Sequence, residues 1–157
     1  MTQTITREIA ATPDAVWAVV SDITRIGEWS PECYRCEWDA DQEPGLGATF
    51  TGYNHVGEKE WSNQCTIVDW TAPQQVSWEV RLTGRTREIF GGDAVTRWGF
   101  KIEATSGGSL LTQTADDMRP EKLKAAGDAF LTEIPDRSIR NIETMQATVA
   151  AIAAVCE

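Results

Sequence analysis

The stretch DRSIRNIETMQATVAAIAAVC, Asp136 to Cys156, decides the fold. Its apolar residues Ile139, Ile142, Met145, Val149, Ile152 and Cys156 recur at steps of three or four, which places them on one face of an α-helix. Such a helix runs ~30 Å, too long an apolar stripe to leave in water, so a broad surface must cover it. The preceding chain supplies strands. One antiparallel sheet curled around the helix would cover the stripe, and the space between the two is where function would sit.

Working back to the start, residues 3–10 alternate weakly and hand over at Ala10-Ala11-Thr12-Pro13-Asp14, with Thr12 as N-cap and Pro13 at the first helical position. Val16, Trp17 and Val20 share a face. Asp22 restarts a second short helix through Ile23, Ile26 and Trp29, which Pro31 stops. Six strands follow at Cys33–Asp39, Ala48–His55, Glu60–Trp70, Gln75–Leu82, Val95–Thr105 and Ser109–Asp116, parted by Pro44-Gly45, Gly57, Pro73, Gly91-Gly92 and Gly107-Gly108. Val76, Trp78, Val80 and Leu82, with Trp98, Phe100 and Ile102, alternate against Glu79, Arg81, Arg97 and Lys101. One-sided alternation of this kind fits an antiparallel sheet covered on one face. Pro120 to Leu131 forms a helical turn or two, and Pro135 either kinks one continuous helix or begins the last one after a break. The fold class is therefore α+β, in a single domain over 1–157.

The chain has 157 residues, enough to bury roughly 70% of its unfolded surface unaided. With 24 acidic against 14 basic residues its net charge is -10, and the basic residues do not cluster, so nucleic acid and anionic membrane surfaces are not expected partners. No apolar run reaches bilayer-spanning length, and the polar, threonine-rich start lacks a signal core, which points to the cytoplasm. Four scattered cysteines read as reduced thiols. In Cys33-Tyr-Arg-Cys36 the spacing is that of a redox or zinc half-site, but on a regular strand positions 33 and 36 point to opposite faces. There is no second pair, and His55 is the one histidine. No metal and no cofactor are expected.

Seven tryptophans are many for this length. Trp17 and Trp78 are assigned to the core, Trp38 and Trp70 are left open, and Trp29, Trp61 and Trp98 are candidates for a cavity wall that holds flat hydrophobic ligands. Phe50, Gly52 and Asn54 share strand parity, as do Trp61, Asn63, Cys65 and Ile67 on the neighbour. Both amides would then face inward, where they either bond a ligand carbonyl or hydroxyl or bond loop backbone and water. His55 has the opposite parity and is a weak candidate for a general base. Asp116 shares a face with Thr112 and Thr114. If that face is inward, Asp116 is a candidate acid or base and Thr114 a ligand contact; otherwise both belong to a solvated strand end. No nucleophile elbow, phosphate loop or metal triad is present.

The order strand, two short helices, six strands and long C-terminal helix resembles the START/Bet v1-like helix-grip fold, a seven-stranded curved antiparallel sheet around the last helix. The residues look most like its polyketide cyclase/dehydrase family (SRPBCC superfamily). Ile9-Ala10-Ala11-Thr12-Pro13-Asp14-Ala15-Val16-Trp17, then Val20-Ser21-Asp22 and Glu28-Trp29-Ser30-Pro31-Glu32, are similar to that family's first strand and helix pair. Gly45, Gly47, Ala48, Phe50, Gly52, Asn54, Gly57, Trp61 and Cys65 fall at its spacing, and Gly107-Gly108 lies where its last hairpin turns. The resemblance implies a cavity for a hydrophobic, ring-containing small molecule, in a monomer or homodimer. The chemistry most compatible with the residues is cofactor-free folding and dehydration of a polyketide-type chain. The alternatives are a non-catalytic carrier or sensor and a protein-interaction module.

Overall fold

The computed structural model describes residues 2–134 and 136–157. β1 (Thr2–Ile9) ends where the Thr12 hydroxyl accepts the Ala15 N–H at 3.2 Å and so caps α1 (Pro13–Val20). α1 buries Val16, Val19 and Val20. Asp22 caps a 3-10 turn at Ile23–Arg25 that runs straight into α2 (Ile26–Trp29), and Ile23, Ile26 and Trp29 are buried in turn. The sequence anticipates both short helices.

β2 (Cys33–Trp38), β3 (Thr49–Val56), β4 (Lys59–Thr71), β5 (Gln75–Arg81), β6 (Ala94–Thr105) and β7 (Gly108–Asp117) join β1 in one sheet of order β1-β7-β6-β5-β4-β3-β2. All neighbours are antiparallel. Each β2–β7 neighbour follows its predecessor in sequence, so α1 and α2 make the single crossing that carries the chain from one edge to the other. Two glycines permit that crossing. A Cβ at Gly108 would stand 2.3 Å from the Ile9 carbonyl oxygen, and one at Gly27 would stand 2.3 Å from that of Tyr34; both contacts are with backbone that cannot swing aside.

α3 (Gly84–Phe90) interrupts the β5–β6 connection and is the one helix the sequence does not announce. It buries no residue and so carries no apolar period; Thr83 holds its start by donating to the Ser62 carbonyl at 3.0 Å. After β7 come α4 (Glu121–Phe130) and α5 (Arg137–Cys156). The Asp136 carboxylate caps α5, accepting the Ser138 N–H at 2.9 Å. Pro135, where a kink or a fresh start was open, lies outside the described residues; to either side α4 and α5 are distinct helices.

α5 packs across the concave face, but on a rotated stripe. Thr144, Met145, Thr148, Val149, Ile152 and Ala153 are buried, whereas Ile139 is 60% exposed and Ile142 only half-buried. The cause is at the helix start. The Gln3 side chain donates to the Ser138 carbonyl at 2.9 Å and accepts from the Asn141 amide at 3.3 Å, which turns Asn141 toward β1. Ile139, two residues and more than half a turn away, must then face outward.

Truncation tests that rotated stripe. Ile152, fully buried, should lose ~2–5 kcal/mol of unfolding free energy on replacement by alanine. Ile139→Ala should stay within ~0.5 kcal/mol. Urea denaturation of both variants measures the pair, and equal losses would contradict the orientation of α5.

Candidate functional site

Between the concave face and α2, α4 and α5 lies a cavity of about 520 Å³, with α3 at its rim. Its floor is aromatic. Phe50 meets Trp78 edge-on at 5.9 Å and Trp78 meets Phe100 at 6.0 Å, and Trp38, edge-on to Phe50 at 5.6 Å, continues the row outside the cavity, so rings from β2, β3, β5 and β6 form one row. Strand register makes the row: Phe50 opposes Cys65, Trp78 opposes both Ile67 and Trp98, and all belong to the inward parity. Trp78, assigned to the core, is both buried and part of the wall. Trp17 instead packs edge-on against Trp70 at 5.1 Å.

Of the candidate contacts, Trp29, Phe50, Asn54, Trp61, Asn63 and Trp98 all border this cavity. Asn54 stands opposite Trp61 in the β3–β4 ladder, with Asn63 two residues farther along. Among the described residues nothing hydrogen-bonds to either side-chain amide. Trp61 also packs edge-on against Phe130 of α4 at 6.3 Å, and Lys59 donates to the Phe130 carbonyl, which ties the β3–β4 hairpin to α4 at the open end.

Thr114 and Asp116 must be corrected. Gly99 and Thr4 flank Thr114, and Arg97 and Thr2 flank Asp116, so both lie on the outer face, where Thr2 donates to the Asp116 carboxylate. The β7 residues that border the cavity are Gln113, Ala115 and Asp117, of the same parity as the buried Leu111. His55 is exposed beside the Tyr34 ring at 5.4 Å and does not reach the cavity. The opposite-face reading of the cysteines is also overturned. A bulge between Cys33 and Arg35 adds a residue to β2, so Cys33 pairs with Asn54 and Cys36 with Gly52, both inward positions.

Four polar features of the wall were not legible as site residues. Gln113 is 6% exposed, and its amide oxygen has no hydrogen-bond partner among the described residues. Facing the cavity from α5, Thr144 spends its hydroxyl proton on the Asn141 carbonyl at 2.9 Å and Thr148 on the Thr144 carbonyl at 2.7 Å, so both offer lone pairs inward. Near the start of α5, Glu32, 8% exposed, accepts two hydrogen bonds from Arg137 at 2.8 and 3.0 Å, with Arg140 at 3.8 Å. At the end of β7, Arg119 grips Asp117 through two 2.9 Å bonds. Burial pushes the Asp117 carboxyl up, but the Arg119 hydrogen bonds outweigh it and hold the group below its ordinary value. No group of His, Cys, Asp and Glu suited to a metal ion occurs among the described residues, and no helix among them is long and apolar enough to cross a membrane.

Residues 2–156 match the family model described as polyketide cyclase/dehydrase and lipid transport. Among solved structures, the chain is 32% identical to the polyketide-cyclase-like protein Cgl2372 of Corynebacterium glutamicum, covering 99% of this chain and 84% of that one with a TM-score of 0.52. Ginseng major latex-like protein 151 of Panax ginseng superposes with a TM-score of 0.71 over 100% of this chain and 97% of that one, at 11% identity. Protein CV1439 of Chromobacterium violaceum gives 0.70 over 99% and 97%, at 14% identity. These last two likenesses concern the Bet v1-like helix-grip fold alone. No curated protein matches the sequence.

Removing one member of the Glu32–Arg137 pair leaves a buried carboxylate short of partners. Arg137→Met should therefore cost about 3 kcal/mol, the low end for a broken buried pair because Arg140 remains near. Adding Glu32→Gln removes the stranded charge and should recover part of the loss. Thermal or urea unfolding of both variants checks the coupling, and a double variant no more stable than the single one would remove the pair from the account.

Proposed function

Since the chain belongs to the polyketide cyclase/dehydrase and lipid transport family, we propose that it binds a hydrophobic, ring-containing small molecule that carries a hydroxyl group, in the cavity between the sheet and α5. The unpartnered Gln113 amide oxygen carries this reading. A buried acceptor without a donor costs ~1–3 kcal/mol, and a ligand hydroxyl reaching the inner wall relieves that cost. Thr144 and Thr148, whose own protons are spent, leave the same region rich in acceptors and favour a donor there. The aromatic floor suits flat rings, and a volume of about 520 Å³ falls within the range of small-molecule sites. Toward the open end, Asn54 and Asn63 are free to meet a carbonyl or second hydroxyl.

Binding without chemistry is favoured over cyclisation. Cyclisation and dehydration require an acid or base free to exchange protons; of the three carboxylates that border the cavity, Glu60 is exposed to solvent opposite His55, while Glu32 and Asp117 are each engaged by arginine. Their charge orients and closes the site; it is poorly placed to shuttle protons.

The experiment is a fluorescence titration through the tryptophans with a hydroxyanthraquinone and with unsubstituted anthraquinone. The hydroxylated compound should bind tighter by ~0.5–1.5 kcal/mol, and Gln113→Leu should abolish the difference. Trp98→Ala should weaken both compounds, and Asn63→Ala should weaken both by ~0.5–1.5 kcal/mol through their shared carbonyls. No saturable binding of either compound would remove the binding reading, whereas equal affinities in the parent protein would remove Gln113 from it.

A further inference from the structure

The bulge in β2 does more than redirect two side chains. It brings the Cys33 and Cys36 sulfurs to 3.3 Å from each other on the wall of the cavity, both above Gly52, where a Cβ would lie 3.7 Å from the Cys33 sulfur and 3.6 Å from that of Cys36. We propose that Cys33 and Cys36 are a redox-active dithiol, oxidised to an intramolecular disulfide by thiol–disulfide exchange with a small organic disulfide that enters the cavity.

The backbone permits the bond. The two cysteines stand opposite Asn54 and Gly52, neighbouring inward positions of one strand, and their sulfurs already touch at 3.3 Å, so closing to a bond of ~2.05 Å asks for a shift of little more than ~1 Å. A regular strand would place positions 33 and 36 on opposite faces, so the reach depends on the bulge. The thiols also differ. Cys33 is partly exposed and is held below the ordinary thiol value, chiefly by the hydrogen bond from Cys36, while Cys36 is buried and pushed well above it by the same contact. A partly exposed, more acidic thiol beside a buried one is the arrangement of an attacking and a resolving cysteine.

The exchange balances without a metal or cofactor. The Cys33 thiolate, its proton released to water, attacks one sulfur of the organic disulfide; that S–S bond breaks and one organic thiolate departs. Cys36 then gives up its proton and attacks the Cys33 sulfur of the mixed disulfide, forming the Cys33–Cys36 bond and expelling the second thiolate. Two electrons pass from the protein to the reagent, and the two released protons reappear on the two organic thiols. Cys65, buried on β4, is not needed and lies outside the pair.

Bis(hydroxyethyl) disulfide is the probe. It is small, neutral and independent of whatever ring ligand the cavity holds, so this test does not stand or fall with the binding reading. Reduced protein is incubated with the probe, quenched with acid and examined by intact mass and peptide mapping. The expected Cys33–Cys36 cross-linked peptide is lighter by two hydrogens, any hydroxyethylthio group on the intact protein maps to the partly exposed Cys156, and dithiothreitol restores the starting mass. Cys36→Ser should stop at one hydroxyethylthio group on Cys33, and Cys33→Ser should not form the cross-link. A stable mixed disulfide on Cys33 of the parent protein, a cross-link to Cys65, or no mass change would overturn the proposal, and each is read on the parent protein without relying on a variant's folding.

Discussion

A single helix is too narrow for the sheet it must cover. Seven strands at ~4.8 Å spacing make a surface ~29 Å across, whereas a helix with its side chains is ~10 Å wide. α5 packs chiefly on β1, β7, α1 and α2, so it seals one side of the concave face and leaves the rest to other elements. α2 and α4 close over the remainder without filling it. The cavity follows from that mismatch, and on the sheet side Phe50, Trp61, Trp78, Trp98 and Phe100 line it. The sheet provides apolar area, the helix provides Asn141, Thr144 and Thr148, and the result has a greasy floor and a polar inner wall.

What the sequence revealed divides along the same line. Alternation on β5 and β6 and the three-four repeat in α5 report burial against a broad partner, which is why the architecture and the inward set Phe50, Asn54, Trp61, Asn63 and Trp98 were legible. The same repeat misplaced Ile139, because it counts apolar residues and the buried stripe of α5 includes two threonines. In β7 the adjacent Leu110 and Leu111 blur the parity; Leu111 and Ala115, both buried, would have put Gln113 inward and Thr114 and Asp116 outward had they been taken as the guide. α3 was silent for the opposite reason, since it buries nothing. No pattern of side chains announced the β2 bulge: an extra residue changes which face every preceding position occupies while leaving the composition of the strand untouched.

Polar groups in the wall show two different economies. Glu32 and Asp117 reach the interior only in company, each gripped by an arginine through paired hydrogen bonds, which is how a buried carboxylate remains charged at tolerable cost. Gln113 has no such company. Neutral amides can be left wanting at a price of only ~1–3 kcal/mol, and a protein whose total stability is ~5–15 kcal/mol can carry one such defect. The contrast separates groups held by partners within the protein from one whose acceptor has no partner among the described residues.

Chemical reactivity follows the same division. A carboxylate locked to arginine is a poor proton carrier, so Glu32 and Asp117 are structural before they are anything else. Sulfur is different: thiols are small and weakly polar, tolerate an apolar wall, and need no counter-ion. Cys33 and Cys36 can therefore sit against the cavity without the arginine pairing that restrains Glu32 next door, and the bulge that unites them also directs Cys33 toward the space a ligand would enter. The single inserted residue in β2 thus decides which side chains this wall presents. In regular register one thiol would face solvent and the other the core; with the bulge both sulfurs stand on the cavity wall, 3.3 Å apart.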